Sequence, residues 1–478
     1  MLPFLKNRFK KTKDTLILSD LHITTAEPDH PDRPLWKKFN SKEYFIDDDF
    51  AALLKKAQGS LKKGIELVLA GDIFDFDSVI SCPENPAFTV SPLEKKRGLN
   101  SEEAKSLYKI KQIIKEHPVF FAALKKFVEA DNRVVFIIGN HDLEVHWPSV
   151  KQCIIEAICP SDDARDNIRF CNWFYISNAD TLIEHGNQYD PYCSISNPIK
   201  PFFKHQDRVF VKLPFGNHTH RYLINSMGIF NPHVDTTYLL NFWGYLKFYI
   251  STIRVQPLLL FSWLFGAFVT WFMSIKDRFA PRIKNPLMLE DLYNTTAFNA
   301  NAEPKTVRAL RELHARPITW DIFKIMRVLW LDKALILLLL AYASIQVAGL
   351  LNILWDISLL WAFLIMVLFM PLFLVYTWKI QALVPAAKSM ITTRILKDAA
   401  AVTGTQRLVC GHSHSPESRM VDTIAFINAG YWSPTVKDIK CTSKEKNKSF
   451  VWLRPDSKKR TAKLIFWDDV KHRDDVFV

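Results

Sequence analysis

Short runs of apolar residues that end in polar residues recur along this chain and predict buried strands. The first lies at residues 15–19, where Leu16, Ile17 and Leu18 precede Asp20. A continuous apolar run of this length is typical of a strand that is covered on both faces. The same pattern recurs at residues 65–70 before Asp72, 134–138 before Asn140, 181–183 before His185, and 407–410 before His412.

Helical patterns at residues 49–62 and 101–130 lie between the early strands. Strands that alternate with helices predict an α/β layer arrangement. In open α/β sheets the pocket lies beyond the carboxyl ends of the strands, so we expect the polar residues to gather there. Residues 425–428, 449–453 and 462–467 predict further strands, which we expect at the edges of the same domain.

A long apolar region interrupts the strands. Within it, residues 255–275, 334–355 and 357–378 carry no charged side chain, and a bilayer span needs about 20 such residues. The alternative is a large soluble helical core, but buried helices in soluble proteins seldom run that long without a charge. Pro371 is also better tolerated in a membrane helix. We therefore predict three parts: an N-terminal part of one domain at 1–230, a helical transmembrane insertion at 231–395, and the C-terminal part of that domain at 396–478.

The position of the insertion constrains its topology. His185 and His412 flank it and are expected in one pocket, so the number of crossings must be even, either two or four. Lys333 and Lys379 flank the last two segments, which predicts one hairpin with cytosolic ends. For the first segment two interpretations stay open: residues 238–253 complete a second hairpin, which we favour, or the segment lies in the membrane interface. We expect a multi-pass membrane protein whose N-terminal and C-terminal parts lie on the cytoplasmic face.

Composition narrows the partners. The chain has 478 residues, 49% of them hydrophobic, and a formal net charge of +13, which favours phosphate, anionic lipid or nucleic acid as a partner. Its seven cysteines are scattered without a Cys-x-x-Cys pair, so a reducing compartment fits best. The basic residues are spread through the insertion. They are not gathered near the polar strand ends together with aromatic residues, which argues against nucleic acid as a partner. The basic N-terminus has too short an apolar stretch for a secretory signal.

Five short motifs follow the predicted strands in a fixed order. They are Asp20-Leu21-His22, Gly71-Asp72, Gly139-Asn140-His141-Asp142, His185-Gly186 and Gly411-His412-Ser413-His414. Together they resemble the calcineurin-like metallophosphoesterases, whose pattern is D-x-H, GD, GNH, H and GHxH. The resemblance covers roughly the first half and the last fifth of the chain. It implies an αββα sandwich, here interrupted by the α-helical membrane insertion.

The resemblance also implies a site for two divalent metal ions. Hard cations prefer oxygen and imidazole ligands, and two such ions need one bridging carboxylate. Manganese is the ion that we expect, although Fe, Zn, Ni and Mg accept the same ligands. A metal-bridging hydroxide would then attack phosphorus. The implied ligands are Asp20, His22, Asp72 and His414 for one ion, and Asp72, Asn140, His185 and His412 for the other.

Two further residues of the third motif have an implied catalytic role. In the family the residue that matches His141 stabilises the phosphoryl oxygen or protonates the leaving group, and Asp142 could orient or charge it. Asp75 and Asp77 are predicted to cap a turn. The pair His218 and His220, which no apolar strand precedes, is predicted to lie in a surface linker.

The expected substrate contains phosphate and is lipid-linked. The stretch from Gly71 to Phe76 is similar to the UDP-diacylglucosamine hydrolase branch, whose members cut a pyrophosphate bond in lipid A synthesis. A helical insertion beside the pocket would let acyl chains stay in the bilayer. The alternatives are a membrane-tethered phosphatase or phosphodiesterase for a soluble substrate, such as a cyclic nucleotide or a phosphoprotein, and a catalytically silent, metal-stabilised scaffold.

Overall fold

The computed structural model describes most of the chain: residues 11–61, 64–228, 231, 246–247, 249–250, 253, 257–279, 286–380, 391–434, 441, 448–456 and 459–477. Most of the predicted partner segment at 238–253 lies outside these residues. The strands are β1 (Thr15–Leu18), β2 (Glu66–Ala70), β3 (Arg133–Ile137), β4 (Ile168–Cys171), β5 (Phe174–Ser177), β6 (Thr181–Glu184), β7 (Phe202–His205), β8 (Arg208–Val211), β9 (Arg407–Cys410), β10 (Glu417–Val421), β11 (Ile424–Asn428), β12 (Ser449–Asp456) and β13 (Lys459–Phe466).

The helices connect these strands and also form most of the region between β8 and β9. A π-helical turn, Thr219–Ile224, joins two short helices into one continuous helical segment at 215–227. The helices are α1 (Asp47–Ser60), α2 (Pro92–Arg97), α3 (Glu103–Glu116), α4 (Pro118–Glu129), α5 (Pro148–Ile158), α6 (Phe215–His218), α7 (Asn225–Met227), α8 (Leu259–Phe279), α9 (Pro286–Asn299), α10 (Pro304–Glu312), α11 (Ile322–Val328), α12 (Leu331–Trp355), α13 (Ala362–Lys379), α14 (Thr393–Thr403) and α15 (Trp467–Val470).

The strands form two large mixed sheets and one small hairpin. The first sheet has the order β13-β12-β1-β2-β3-β4, and the second has the order β10-β11-β9-β6-β5. Strands β1 to β4 run parallel, as do β6, β9 and β11. The remaining two strands, β7 and β8, pair with each other. We predicted edge positions for the strands now named β11, β12 and β13. Of these three only β13 lies at an edge, because β11 pairs with β10 and β9, and β12 pairs with β13 and the distant β1.

The two sheets pack face to face. Alternate side chains of both sheets meet in one buried apolar cluster, which includes Ile17, Val68, Val135, Ile183 and Val409. The other face of the first sheet packs against α1, α3, α4 and α5. The other face of the second sheet packs against α9, α10 and α14. The layers therefore run helix, sheet, sheet, helix, which agrees with the α/β class and with a metallophosphoesterase fold.

Two details of the helices differ from the expected pattern. The predicted helix at 101–130 is two helices, because Pro118 cannot continue α3 and starts α4 instead. Residues 231–395 were expected to form a membrane insertion, yet α9 and α10 inside that range cover the second sheet. The connection between α9 and α10 also bonds to this sheet, since the backbone N of Ile176 in β5 donates to Ala300 O at 2.9 Å. The predicted domain boundaries stay a prediction.

By length and composition, two of the described helices could cross a membrane, at Leu259–Lys276 and Leu331–Trp355. A third apolar stretch, Phe363–Lys379, is shorter. Two such helices are weak evidence alone, because the core helices of soluble proteins pass the same test. The two helices differ in burial: only 11% of Leu331–Trp355 is buried, whereas 28% of Leu259–Lys276 is buried.

Candidate metal centre

All five motifs lie at the carboxyl ends of strands, as the sequence predicts. Asp20, Asp72 and Asn140 follow the neighbouring parallel strands β1, β2 and β3, whereas His185 and His412 follow β6 and β9 of the second sheet. Because the two sheets stack, their carboxyl edges bring the motifs together. The site is thus built across the sandwich and not along one sheet.

Five of the predicted ligands adopt a left-handed backbone conformation. The φ angles are 56° for Asp20, 49° for His22, 52° for Asp72, 66° for His412 and 49° for His414. This conformation costs a residue with a side chain about 1 kcal/mol or more and is concentrated at functional sites. Backbone hydrogen bonds between the loops hold it in place, for example from His22 N to Asp72 O at 2.9 Å. These five side chains therefore meet at the site although their backbone conformation is strained.

One group of predicted ligands surrounds the end of β1. His414 Nε2 lies 3.0 Å from Asp20 Oδ1 and 3.3 Å from His22 Nε2. His22 Nε2 lies 3.9 Å from Asp72 Oδ2. Asp20, His22 and His414 each offer an atom within 4.8 Å of the others, a spacing that suits one cation. Together with Asp72, these three residues form the set that the resemblance implies for the first ion.

The second group shares Asp72. Its Oδ2 atom lies 3.1 Å from His185 Nε2, and His412 completes a group whose ligand atoms also lie within 4.8 Å of one another. Since Oδ2 also faces His22, Asp72 stands between the two groups, as a bridging carboxylate must. Asp190, which the sequence did not indicate, accepts from His412 Nε2 at 3.1 Å and leaves Nδ1 as the ligand nitrogen. A carboxylate behind a histidine is the usual support for a metal ligand.

The donor set fits divalent metal ions. Asn140 Oδ1 is buried and accepts no hydrogen bond from any described residue, which is costly unless a cation satisfies it. The ring of His185 is fixed by Nδ1, 3.1 Å from Ala70 O. Because a carbonyl only accepts, Nδ1 donates its proton to Ala70 O, so Nε2 is the nitrogen that would bind a metal once it has lost its proton. Gly139 also belongs to the site, since a Cβ there would lie 2.5 Å from Asp72 N.

The partner of His141 differs from the predicted one. Both oxygens of Asp142 accept backbone hydrogen bonds, at 2.5 Å from Gly139 N and at 2.9 Å from Ile73 N. Asp142 therefore ties two loops together. The carboxylate beside the His141 ring is that of Asp75, whose Oδ1 lies 3.2 Å from Nδ1. Local sequence favoured Asp142, but its side chain points back toward the start of its own loop.

Asp75 has a second role that the sequence predicts correctly. It caps a turn by accepting from Asp77 N at 3.1 Å and Ser78 N at 3.2 Å. Asp77 makes no such cap, since its Oδ2 accepts from Asn217 Nδ2 at 2.6 Å. Asn217 also donates to Asn140 O at 2.7 Å. The helical segment 215–227 therefore supports the loop that carries the predicted ligand Asn140.

The prediction of a surface linker for His218 and His220 was wrong. Both are buried on the helical segment 215–227. His220 Nε2 lies 2.9 Å from Ser78 Oγ and 3.5 Å from Asp75 Oδ2, and its ring centre is 5.0 Å from that of His141. The sequence analysis recognised no apolar strand before this pair, although β8 ends at Val211, shortly before the helical segment begins.

Negative charge dominates the electrostatics of the site. Burial disfavours a charged His141, yet the carboxylates of Asp72 and Asp75 outweigh it and raise the pKa of His141 to about 10. Likewise, burial opposes a charged His185, but Asp72 and Asp20 raise its pKa to about 9. Burial would raise the pKa of Asp72, but the neighbouring histidines hold it below its usual range. An excess of carboxylate charge in a buried pocket favours bound cations.

Comparison with known families agrees with this geometry. Residues 14–212 match the family model of the calcineurin-like phosphoesterases. The chain therefore contains a calcineurin-like phosphoesterase domain, which supports a metal-dependent hydrolase of phosphoesters. The fifth motif, with His412 and His414, lies beyond the matched range, but the fold brings it into the same site. No curated protein matches the chain.

Proposed function

We propose that this protein is a membrane-bound phosphoesterase with two divalent metal ions that hydrolyses a phosphate ester or pyrophosphate bond of a lipid-linked substrate. The convergence of seven polar side chains, with Asp72 between its two groups, carries the proposal. Two groups of ligand atoms that share one carboxylate suit a pair of ions better than a single ion. A silent scaffold would not need His141 beside such a pair.

The residues of the site divide the chemistry among them. When bound, two divalent ions acidify a shared water, orient the phosphoryl group and neutralise its developing charge. Asp72 would bridge them, and Asn140 Oδ1 would complete the second ligand set. His141, fixed by Asp75, would donate a proton to a phosphoryl oxygen or to the leaving group. No protein nucleophile is required.

The hairpin of α12 and α13 supports a membrane location. The two helices pack against each other, and most of their outward side chains are exposed. At 25 residues, α12 is about 37 Å long, which exceeds the roughly 30 Å of a bilayer core. Aromatic residues stand at both ends, as is typical of interfacial belts. They are Trp330, Tyr376 and Trp378 beside Lys333 and Lys379, and Trp355 and Trp361 beside Asp356.

The position of helix α8 beside the site supports a lipid-linked substrate. Helix α8 packs on the helical segment 215–227, and that segment supplies Asn217 and His220 to the loops of the metal centre. Helix α8 and the metal centre are therefore neighbours. A tether alone would not require this contact, which favours a substrate that is held partly in lipid.

Turnover by the purified full-length protein, reconstituted in lipid nanodiscs with Mn²⁺, tests the proposal. The substrates are UDP-diacylglucosamine, a phospholipid, a cyclic nucleotide and an aryl phosphate. We expect preferential hydrolysis of a lipid-linked substrate and its loss in Asp72→Asn. Asp131→Asn is the matched control, because Asp131 is an exposed aspartate that also has a positive φ, 61°. Cleavage of the cyclic nucleotide with the lipids untouched would favour the tethered enzyme instead.

A further inference from the structure

Helix α8 has two chemically different faces. The face that packs against the protein carries small or hydroxyl-bearing residues: Gly266, Ala267, Thr270 and Ser274 are all buried. The opposite face repeats phenylalanine at helical spacing, and these rings are exposed. They are Phe261, Phe265, Phe268, Phe272 and Phe279. A helix that lipid surrounds on all sides would be apolar all round and would not need one face of small residues and another of phenylalanine.

The small face holds α8 close to the helical segment 215–227 along most of its length. A Cβ on Gly266 would lie 2.6 Å from Tyr222 O, so the two backbones nearly touch. Ser226 Oγ donates to Ser262 O at 3.4 Å near the start of α8, and Thr270 Oγ1 donates to His218 O at 3.4 Å further along. These contacts fix α8 alongside the phosphoesterase domain.

A membrane crossing by α8 would carry part of the catalytic domain into hydrocarbon. The buried positions of α8 run from Leu259 to Ser274, which is about 22 Å of the roughly 30 Å bilayer core. The segment beside it is polar and bonded to the site. Arg221 donates to Asn100 Oδ1 at 3.1 Å, and Asn225 donates to Asp77 O at 3.0 Å. These bonds tie the segment to loops of the catalytic domain, and loops that are exposed to lipid do not occur within the hydrocarbon region.

We propose that α8 does not cross the membrane but lies in the plane of its surface, with the phenylalanine face inserted among the lipid headgroups. Its partner is the bilayer that the α12 and α13 hairpin would span, and this inference rests on the membrane location proposed above. Lys276 and Arg278 are exposed at the end of α8 and complement anionic headgroups. Of the described helices, only α12 and α13 would then cross the membrane, and the metal centre stays at the lipid surface.

Labelling of single cysteines from each side of the membrane tests the orientation. Leu258 and Phe279 mark the two ends of α8, with 67% and 70% of their surfaces exposed, and Asp356 marks the far turn of the hairpin. Each is changed to cysteine in a full-length chain whose partly exposed native cysteines are replaced by alanine. A membrane-impermeant maleimide is then applied to sealed vesicles of either orientation. The chain without an added cysteine gives the background.

The in-plane arrangement predicts that Leu258→Cys and Phe279→Cys react from the side of the catalytic domain, and that Asp356→Cys reacts from the opposite side. Reaction of the two α8 cysteines from opposite sides would show a crossing and overturn the inference, while the membrane location stands. If Asp356→Cys reacts from the catalytic side, the proposed spanning hairpin itself fails.

The lipid contact of the phenylalanine face needs a separate readout. A fluorescent label on Phe265→Cys, in liposomes that contain anionic lipid, should be quenched by a nitroxide near the headgroup more strongly than by one at the bilayer centre. Stronger quenching at the centre would contradict an in-plane helix. No quenching by either lipid would mean that another surface, such as a second copy of the chain, covers this face.

Discussion

Replacing Asp75 by asparagine isolates the contribution of one carboxylate to the action of His141. The Asp75 side chain accepts two backbone hydrogen bonds through Oδ1, from Asp77 and Ser78, and asparagine can keep both of them. What it removes is the negative charge 3.2 Å from His141 Nδ1. The turn should persist while the ring loses its charged partner.

The expected loss follows from the strength of that contact. A buried hydrogen bond to a charged group contributes about 1.5–3 kcal/mol. Each 1.36 kcal/mol is a factor of ten in rate, so kcat should fall by roughly 10- to 150-fold if the full contact acts in the transition state. Metal content at the Asp72 site should not change, because the ligand groups that contain Asp72 do not include Asp75, which lies in a separate group with His141 and His220.

The assay is kcat on a series of aryl phosphates with leaving groups of increasing pKa, with Mn²⁺ present and Asp131→Asn as the control. If His141 protonates the leaving group, the loss in Asp75→Asn grows as the leaving group becomes more basic. If His141 stabilises the phosphoryl oxygen, the loss is the same across the series. Turnover within twofold of the parent, at unchanged metal content, would refute the reasoning.

Three further outcomes follow from the structure. Gly266→Leu places a side chain against Tyr222 O and should lower stability by about 1–3 kcal/mol in chemical unfolding; Gly349→Leu, where a Cβ meets nothing, should be nearly neutral. Glu94 is held by Lys105 at 2.7 Å, and although burial would raise its pKa, this and other hydrogen bonds lower the pKa from 4.5 to about 2. The ionised Glu94 therefore contributes to the free energy of unfolding above pH 4.5, and this contribution is lost as the pH falls toward 2. In Glu94→Gln the free energy of unfolding should fall less over this pH range than in the parent. Chelation by EDTA should abolish hydrolysis and lower the melting temperature, and added Mn²⁺ should restore both; unchanged melting would contradict a metal that stabilises the fold.

The sequence predicts the strand ends of this site well and their assembly poorly. An apolar run followed by Asp20 or Asp72 is a local signal, and both residues lie where it indicates. The pairing of β1 with β12 joins Thr15 to Leu453 and has no local signal. The division of the motifs between two sheets depends on such long-range pairing, so periodicity alone could not reveal it.

The directions of the side chains were the second feature that the sequence did not predict. Asp142 follows His141 directly, yet its carboxylate turns to Gly139 N, while Asp75 reaches the ring from another loop. His220 reaches Asp75 from a π-helical turn within the helical segment 215–227. Choices of this kind depend on backbone conformation in turns, which residue type alone does not determine.

Metal content and turnover of Asp72→Asn, measured on the same purified sample, test most directly whether Asp72 joins two cation sites. We expect two bound ions per chain in the parent and in Asp131→Asn. Asp72→Asn should lose at least one ion and about a hundredfold or more in kcat, since even outer partners of ligands contribute 10- to 100-fold. Full metal content with undiminished hydrolysis in Asp72→Asn would contradict the account.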